Sequence, residues 1–221
     1  MNKGIVIAGA TGEVGKRLAS KLIAHNPNRP IIALVRQINT ELPEQVIQIK
    51  TDYKNLNNVV LDHPIEMAYC CLGTTIKQAK SKDAFYKVDH DYPVQFAHWV
   101  QTHDCNRFVC ITATGANHNS KNYYLKVKGE TEHDLTQRHF SHLWLIRPSL
   151  LLGDRNEFRF GEFLGAIIGR LLSPIMVGPF EKYRPIQMMT LASTMAKLAD
   201  NENPREGCHV LEGRSLHSDA D

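Results

Sequence analysis

GATGEVG, residues 9–15, follows the apolar run GIVIA at residues 4–8 and leads into KRLASKLIA at residues 16–24. Three glycines at every third position, set between a strand-like run and a helix-like run, mark a strand–turn–helix corner. Further apolar runs of four to seven residues recur along the chain: PIIALV, VIQIK, EMAYCCL, RFVCIT, LWLIRP and CHVLEG. Each has the make-up of a strand buried on both faces of a parallel sheet. Helical patterns separate most of them. EVGKRLASKLIAH puts Val14, Leu18, Leu22 and Ile23 on one face, and DAFYKVDHDYPVQFAHWVQTH and NYYLKVKGETEHDLTQR have crossover length, with Pro93 set to kink or restart the former. Strand and helix in alternation predict an α/β fold, a doubly wound Rossmann-like parallel sheet with right-handed crossovers and helices on both faces.

In such a sheet the ligand lies beyond the carboxyl ends of the strands, where the first strand delivers Gly9, Ala10, Thr11, Gly12, Glu13, Val14 and Gly15. One glycine permits the tight turn, one lets the main chain approach a pyrophosphate, and one allows close helix–strand packing. The first helical turn then offers unpaired amides and a positive dipole end to an anion. The spacing is G-x-x-G-x-x-G rather than the commoner G-x-G-x-x-G, so a turn that merely closes a βα unit is the alternative reading.

Cofactor choice is read at the end of the second strand. Where an NAD site places a carboxylate about 20 residues past the glycines, this chain has Val35 and Arg36. A guanidinium suits a 2′-phosphate and a carboxylate repels it, so NADP(H) is expected in preference to NAD(H). Arg36 also reads as a solvated residue after a strand. In YYLKVKGE, Tyr124 and Lys128 stand four apart on a predicted helix and share a face. A phenol titrates near 10, and a neighbouring ammonium favours its phenolate, which suits proton transfer at neutral pH. Tyr-x-x-x-Lys is common in helices by chance, and it acquires meaning here because it follows a glycine corner and a strand ending in CITATGAN.

With GATGEVG, CLGTT (71–75), YKVDHDY (86–92), YLKVKGE (124–130), LIRPSLLLGDR (145–155) and EFRFGE (157–162), the chain resembles the atypical short-chain dehydrogenase/reductases, in their Tat-interacting oxidoreductase branch with its bacterial relatives. The resemblance implies one NADPH-binding Rossmann-like domain. It also implies Tyr124 as catalytic acid/base, Lys128 against the nicotinamide ribose, Leu72, Gly73 and Thr74 along the cofactor, and the main chain after Arg147 and Pro148 near the nicotinamide. The serine that short-chain reductases keep at the end of the fifth strand is replaced by Thr112, Ala113 and Thr114; Thr112 is the expected substitute and Thr114 the alternative. The reaction implied is hydride transfer to a small carbonyl substrate. The rival reading is a non-catalytic NADP(H)-binding redox sensor that grips a regulatory protein partner.

Composition sets bounds on these readings. With 43% apolar and 22% charged residues over 221 positions, the chain has material for a sizeable core, read as one domain over residues 1–221 with a small substrate or lid region around 153–190. A net charge of +3 without a block of like charges points away from nucleic acid. FLGAIIGRLLSPIMVG (163–178) is interrupted by Arg170, Ser173 and Pro174 and is too short for a membrane span, so it reads as an apolar lid or the interface of a homodimer. The stretch after Tyr124 is short for the substrate domain of nucleotide-sugar epimerases, which are disfavoured. Five cysteines without a C-x-x-C pair read as buried free thiols in a cytoplasmic protein. The eleven histidines, among them His133, His139 and His142, stand at no recognised ligand spacing, so no metal is expected. Lys77, Lys80 and Lys82, and the DRNEFRFGE stretch with Arg155, Glu157, Arg159 and Glu162, read as solvated or internally paired charges, with substrate contact as the alternative. The tail GRSLHSDAD reads as polar and loose.

Overall fold

The computed structural model describes residues 3–153, 182–201 and 203–217. β1 (Gly4–Ala8) is an interior strand of the sheet, and all five of its residues are buried. In chain order there follow α1 (Glu13–His25), β2 (Ile31–Val35), β3 (Val46–Lys50), β4 (Ile65–Cys70), α2 (Ile76–Ala79), α3 (Lys82–Tyr86), a π-helical turn (Lys87–Asp91) and α4 (Tyr92–Gln101). The remainder comprises β5 (Arg107–Ile111), α5 (Tyr123–Thr136), β6 (His142–Arg147), β7 (Leu151–Leu152), β8 (Ile186–Gln187), α6 (Met188–Asp200) and β9 (Gly207–Glu212). Among the described residues seven strands form one sheet in the order β3-β2-β1-β4-β5-β6-β9, every neighbouring pair parallel. All seven apolar runs of the sequence reading are these strands.

The order makes the chain step from β1 outward to β3 and then cross back to β4 on the other side. The carboxyl ends of β1 and β4 therefore flank the switch point, where a doubly wound sheet opens its crevice. Alternation along β1 sends Ile5 and Ile7 to one apolar layer and Val6 and Ala8 to the other. Leu18 and Leu22 of α1 and Leu191 and Met195 of α6 close the first layer, while Phe96 and Trp99 of α4 and Leu135 of α5 close the second. Each such side chain contributes about 1.5–3 kcal/mol by leaving water. Cys70 and Cys71 fall on opposite layers, as adjacent strand residues must.

The helical run continues through Pro93, which stands in the first turn of α4 directly after the turn of π geometry and leaves one carbonyl of that turn without its α-helical donor. Two expectations are corrected. Cys208, on the edge strand β9, is exposed, whereas Cys70, Cys105 and Cys110 are buried. The tail is ordered as far as its last described residue: Gly213–Leu216 make a 3-10 turn, Leu216 is buried, and its carbonyl accepts from the Thr194 hydroxyl of α6. An apolar side chain with a core to enter outweighs the polar residues around it. Among the described residues no helix is long and apolar enough to cross a membrane.

Candidate cofactor and catalytic site

The glycine corner is built by close approach. Gly9 has φ +81°, and a Cβ there would lie 2.6 Å from the main-chain carbon of Cys71. A Cβ on Gly15 would lie 2.3 Å from the Gly9 oxygen and 2.7 Å from the Ala10 Cα, so only glycine lets α1 rest on the end of β1. Gly12 is the N-cap of α1 and brings no capping side chain. The amides of the first turn and the positive end of the dipole thus face an opening rather than a cap. Glu13, whose carboxylate would oppose an anion there, is turned onto Arg17 at 2.7 Å and Lys16 at 3.8 Å.

From this corner runs a cavity of about 570 Å³, within the range of cofactor sites. Thr11, Gly12 and Val14 line one end, Leu72, Gly73 and Thr74 the wall beyond β4, and Lys128 of α5 the floor. Gly9, Glu13 and Gly15 line it as well; Ala10 is the corner residue that does not, being fully buried in the core beneath. Arg36 lines the cavity at the end of β2, is exposed, and makes no ion pair among the described residues. The glycines that a Cβ would block, the open helix end and the free guanidinium fit a pyridine dinucleotide.

Sequence reasoning missed Tyr53. Its hydroxyl donates to the Leu34 carbonyl at 2.8 Å and accepts the Gly9 amide at 3.2 Å, tying the ends of β1 and β2 beneath the corner. Tyr53 has φ +63°, a left-handed conformation that a bulky side chain adopts only when its surroundings impose it. Its ring stacks on Tyr92 at 5.6 Å and lines the cavity. No local sequence signal marks an aromatic residue for that conformation.

α5 starts at the Asn122 cap, whose side chain accepts the Leu125 amide at 3.2 Å. Tyr124 lies one turn before Lys128 and packs on Phe85, ring centroids 5.7 Å apart. Lys128 is 3% exposed, and its Nζ is 2.7 Å from Oδ1 of Asp89, which is 1% exposed. Burial pushes the Tyr124 phenol above its usual pKa, and the Lys128 ammonium only partly offsets this. Burial alone would push Lys128 down; the Asp89 carboxylate, by its charge and its hydrogen bond, outweighs this and holds the ammonium charged. The sequence reading had Lys128 lowering the phenol; it does so, but burial outweighs it and the Asp89 carboxylate opposes it further. The neighbouring candidates are engaged elsewhere: the Tyr123 hydroxyl donates to the Lys82 carbonyl at 3.1 Å, and Lys126 faces Glu130 at 3.8 Å.

The serine substitute does not stand where expected. Thr112 is fully buried, and its hydroxyl donates to Glu132 Oε1 at 2.6 Å. Glu132 also receives Arg147 through Nε at 2.9 Å and Nη2 at 2.5 Å. This cluster locks α5 to β5 and β6 on the side of a second, smaller cavity, so neither Thr112 nor the Arg147 side chain lines the first. A buried carboxylate needs such donors, and the threonine supplies one. Thr114 donates to the Arg147 carbonyl at 2.9 Å, and Pro148 is buried with its carbonyl accepting the Thr114 amide. The 163–178 segment, Arg155, Glu157, Arg159 and Glu162 lie outside the described residues, as does most of the 153–190 region. Lys77 sits in α2, Lys80 caps it with φ +67°, and Lys82 opens α3. Among the described residues no three His, Cys, Asp or Glu side chains are grouped to hold a metal ion.

A family model described as the NAD dependent epimerase/dehydratase family matches residues 5–170. The chain belongs to that family. Protein HTATIP2 of Rattus norvegicus is 33% identical over 174 residues, 74% of this chain and 69% of that protein. Protein FMP52, mitochondrial, of Candida glabrata is 30% identical over 166 residues, 74% of this chain and 71% of that protein. The resemblance to atypical short-chain dehydrogenase/reductases therefore holds. Solved structures bear out the fold: UDP-glucose 4-epimerase of Thermotoga maritima superposes with TM-score 0.69 at 14% identity over 96% of this chain and 77% of its own. The oxidoreductase ylbE of Lactococcus lactis gives TM-score 0.67 at 16% identity over 97% and 95%. The cytoplasmic location read from the thiols is overturned, because the FMP52 relatives of Candida glabrata, Eremothecium gossypii and Saccharomyces cerevisiae are named mitochondrial proteins. Unpaired cysteines report reducing surroundings, and those are not confined to one compartment.

Proposed function

We propose that the chain is an NADPH-dependent reductase of a small carbonyl substrate. The observation that carries this reading is that Lys128, one turn after Tyr124, floors the same cavity that begins at the glycine corner. The cofactor, when bound, supplies a hydride. The chain's own residues supply the rest. The first-turn amides of α1 would hold the pyrophosphate and Arg36 the 2′-phosphate, while Leu72, Gly73 and Thr74 would bound the path toward Lys128. Lys128 would hold the ribose, and Tyr124, kept neutral by burial, would give its proton to the carbonyl oxygen as the carbon is reduced and be reprotonated by a water that enters once the product has left.

A second reading, an NADP(H)-binding sensor without turnover, is favoured by one observation: the Thr112 hydroxyl is held by Glu132 and polarises nothing in the cavity. One experiment separates the two. NADPH consumption is followed by absorbance with a panel of aldehydes, ketones and quinones, with Tyr124→Phe as control. The reductase reading expects turnover in the parent chain and none in the variant, with cofactor binding intact in both. NADPH bound by both and consumed by neither assigns the sensor.

A further inference from the structure

Asp89 is a carboxylate with 1% exposure inside a helical run, and no role in binding a cofactor places it there. Pro93 explains its main chain. A residue in α-helix donates its amide to the carbonyl four positions back, and for Pro93 that carbonyl belongs to Asp89; the ring has no N–H to give. The Thr131 hydroxyl of α5 reaches this carbonyl at 2.8 Å, shared with the Val127 carbonyl of its own helix at 2.9 Å. One helical turn earlier on the same face, Lys128 pairs with the Asp89 carboxylate at 2.7 Å. The other carboxylate oxygen accepts the Thr74 amide at 2.9 Å, in the loop that lines the cavity after β4. Gly73 sits above the pair: a Cβ there would be 3.5 Å from Asp89 Oδ1 and 3.8 Å from Lys128 Nζ. The whole arrangement hangs on a π-helical turn, a geometry that recurs at functional sites.

We propose that Asp89 is the positioning residue of this site: it seats the Lys128 ammonium beneath the Gly73–Thr74 loop and balances its charge, so that Tyr124 is presented as a proton donor. This rests on the reductase reading and gives it a direction, since a neutral phenol delivers a proton to a carbonyl oxygen and does not withdraw one from an alcohol. The groups that bear on the pair are Asp89 from the π turn, Tyr124 and Lys128 on α5, and Cys110 on β5. A hydrogen bond with Cys70, together with burial, keeps the Cys110 thiol neutral. Burial pushes the Asp89 carboxyl above its usual pKa, while the Lys128 ammonium at 2.7 Å and the Thr74 amide favour its ionised form, in which it is the anion that offsets Lys128. Without it, the tyrosine–lysine pair carries an unbalanced positive charge in a dry site and gives up its first proton more readily, whichever of the two loses it.

The test is a nuclear magnetic resonance titration of the cofactor-free chain with carbon-13 at tyrosine Cζ and lysine Cε, the two signals assigned through Tyr124→Phe and Lys128→Met. In Asp89→Asn the first proton should leave the pair about one to three pH units lower than in the parent chain. Asp89→Glu, which keeps the charge, should recover part of that shift. A first titration in Asp89→Asn at the parent pH overturns the proposal. If Asp89→Asn does not fold, Lys128→Met with labelled aspartate Cγ decides: the Asp89 carboxyl should titrate at least about one pH unit higher than in the parent, and an unchanged value overturns the pairing. Neither measurement uses cofactor or substrate. A chain that titrates as proposed yet consumes no NADPH sinks the reductase reading and leaves Asp89 in place.

Discussion

Gly15→Ala adds one methyl group at the tightest point of the glycine corner. Its Cβ would start 2.3 Å from the Gly9 oxygen and 2.7 Å from the Ala10 Cα. Both neighbours are main chain, which no rotamer change can move aside. A normal carbon–oxygen contact is near ~3.3 Å, so α1 must withdraw by about 1 Å from the end of β1. Forcing a methyl group into a packed interior costs about 1–3 kcal/mol. In a chain of this length each kcal/mol lowers Tm by roughly 2–4 °C, so scanning calorimetry should show Tm lower by about 2–12 °C. The same withdrawal carries the first-turn amides away from the pyrophosphate. Hydrogen bonds to charged groups contribute about 1.5–3 kcal/mol each, so NADPH affinity should fall by about tenfold or more. Gly73→Ala is the control: its Cβ meets Asp89 and Lys128 at ordinary contact distances, so Tm should hold while binding weakens because the methyl group occupies the cavity wall. Parent-like Tm and parent-like NADPH affinity in Gly15→Ala would refute the reasoning from close approach.

Arg36→Ser should weaken NADPH binding by about tenfold, allowing for the exposure of the guanidinium, and leave NADH binding unchanged; equal losses for both, read by calorimetry, would remove Arg36 from 2′-phosphate recognition. Stability should depend on alkaline pH. Burial pushes the thiols of Cys71 and Cys105 up, the latter to about 11, and raises the phenols of Tyr53, Tyr69 and Tyr124 as well. A group whose folded pKa is raised stabilises fully below its unfolded value and loses that stabilisation as pH rises toward the folded one. Urea midpoints in reductant should therefore be level from about pH 7 to 8, fall above about 8.5 as unfolded thiols ionise, and fall faster above about 10 as phenols follow. A midpoint that rises over that range contradicts the burial of these groups.

What was legible in the sequence is what period and spacing encode. A strand buried on both faces is a continuous apolar run whatever its neighbours, so all seven sheet strands could be read, and G-x-x-G-x-x-G located the corner because glycine answers a local steric demand. Asp89, Tyr53 and the fate of Thr112 depend on partners distant in sequence. Thr112 was the expected substitute for the serine, yet Glu132, which takes its hydroxyl, and Arg147, which holds Glu132, are placed by α5 and β6. Tyr53 takes a conformation its side chain disfavours because its hydroxyl accepts the Gly9 amide and donates to the Leu34 carbonyl. Asp89 did leave a trace: a carboxylate four residues before a helical proline marks a carbonyl that needs a donor from elsewhere, and Thr131 is that donor.

The account stands on the glycine corner as an anion cradle continuous with the Lys128 floor. Isothermal titration of the purified chain with NADPH, and in parallel with NADH, addresses this directly. It predicts saturable one-to-one binding, tighter for NADPH, that Gly15→Ala diminishes. Absence of heat with either nucleotide at concentrations up to about 1 mM, the upper end of working ligand levels, would contradict it.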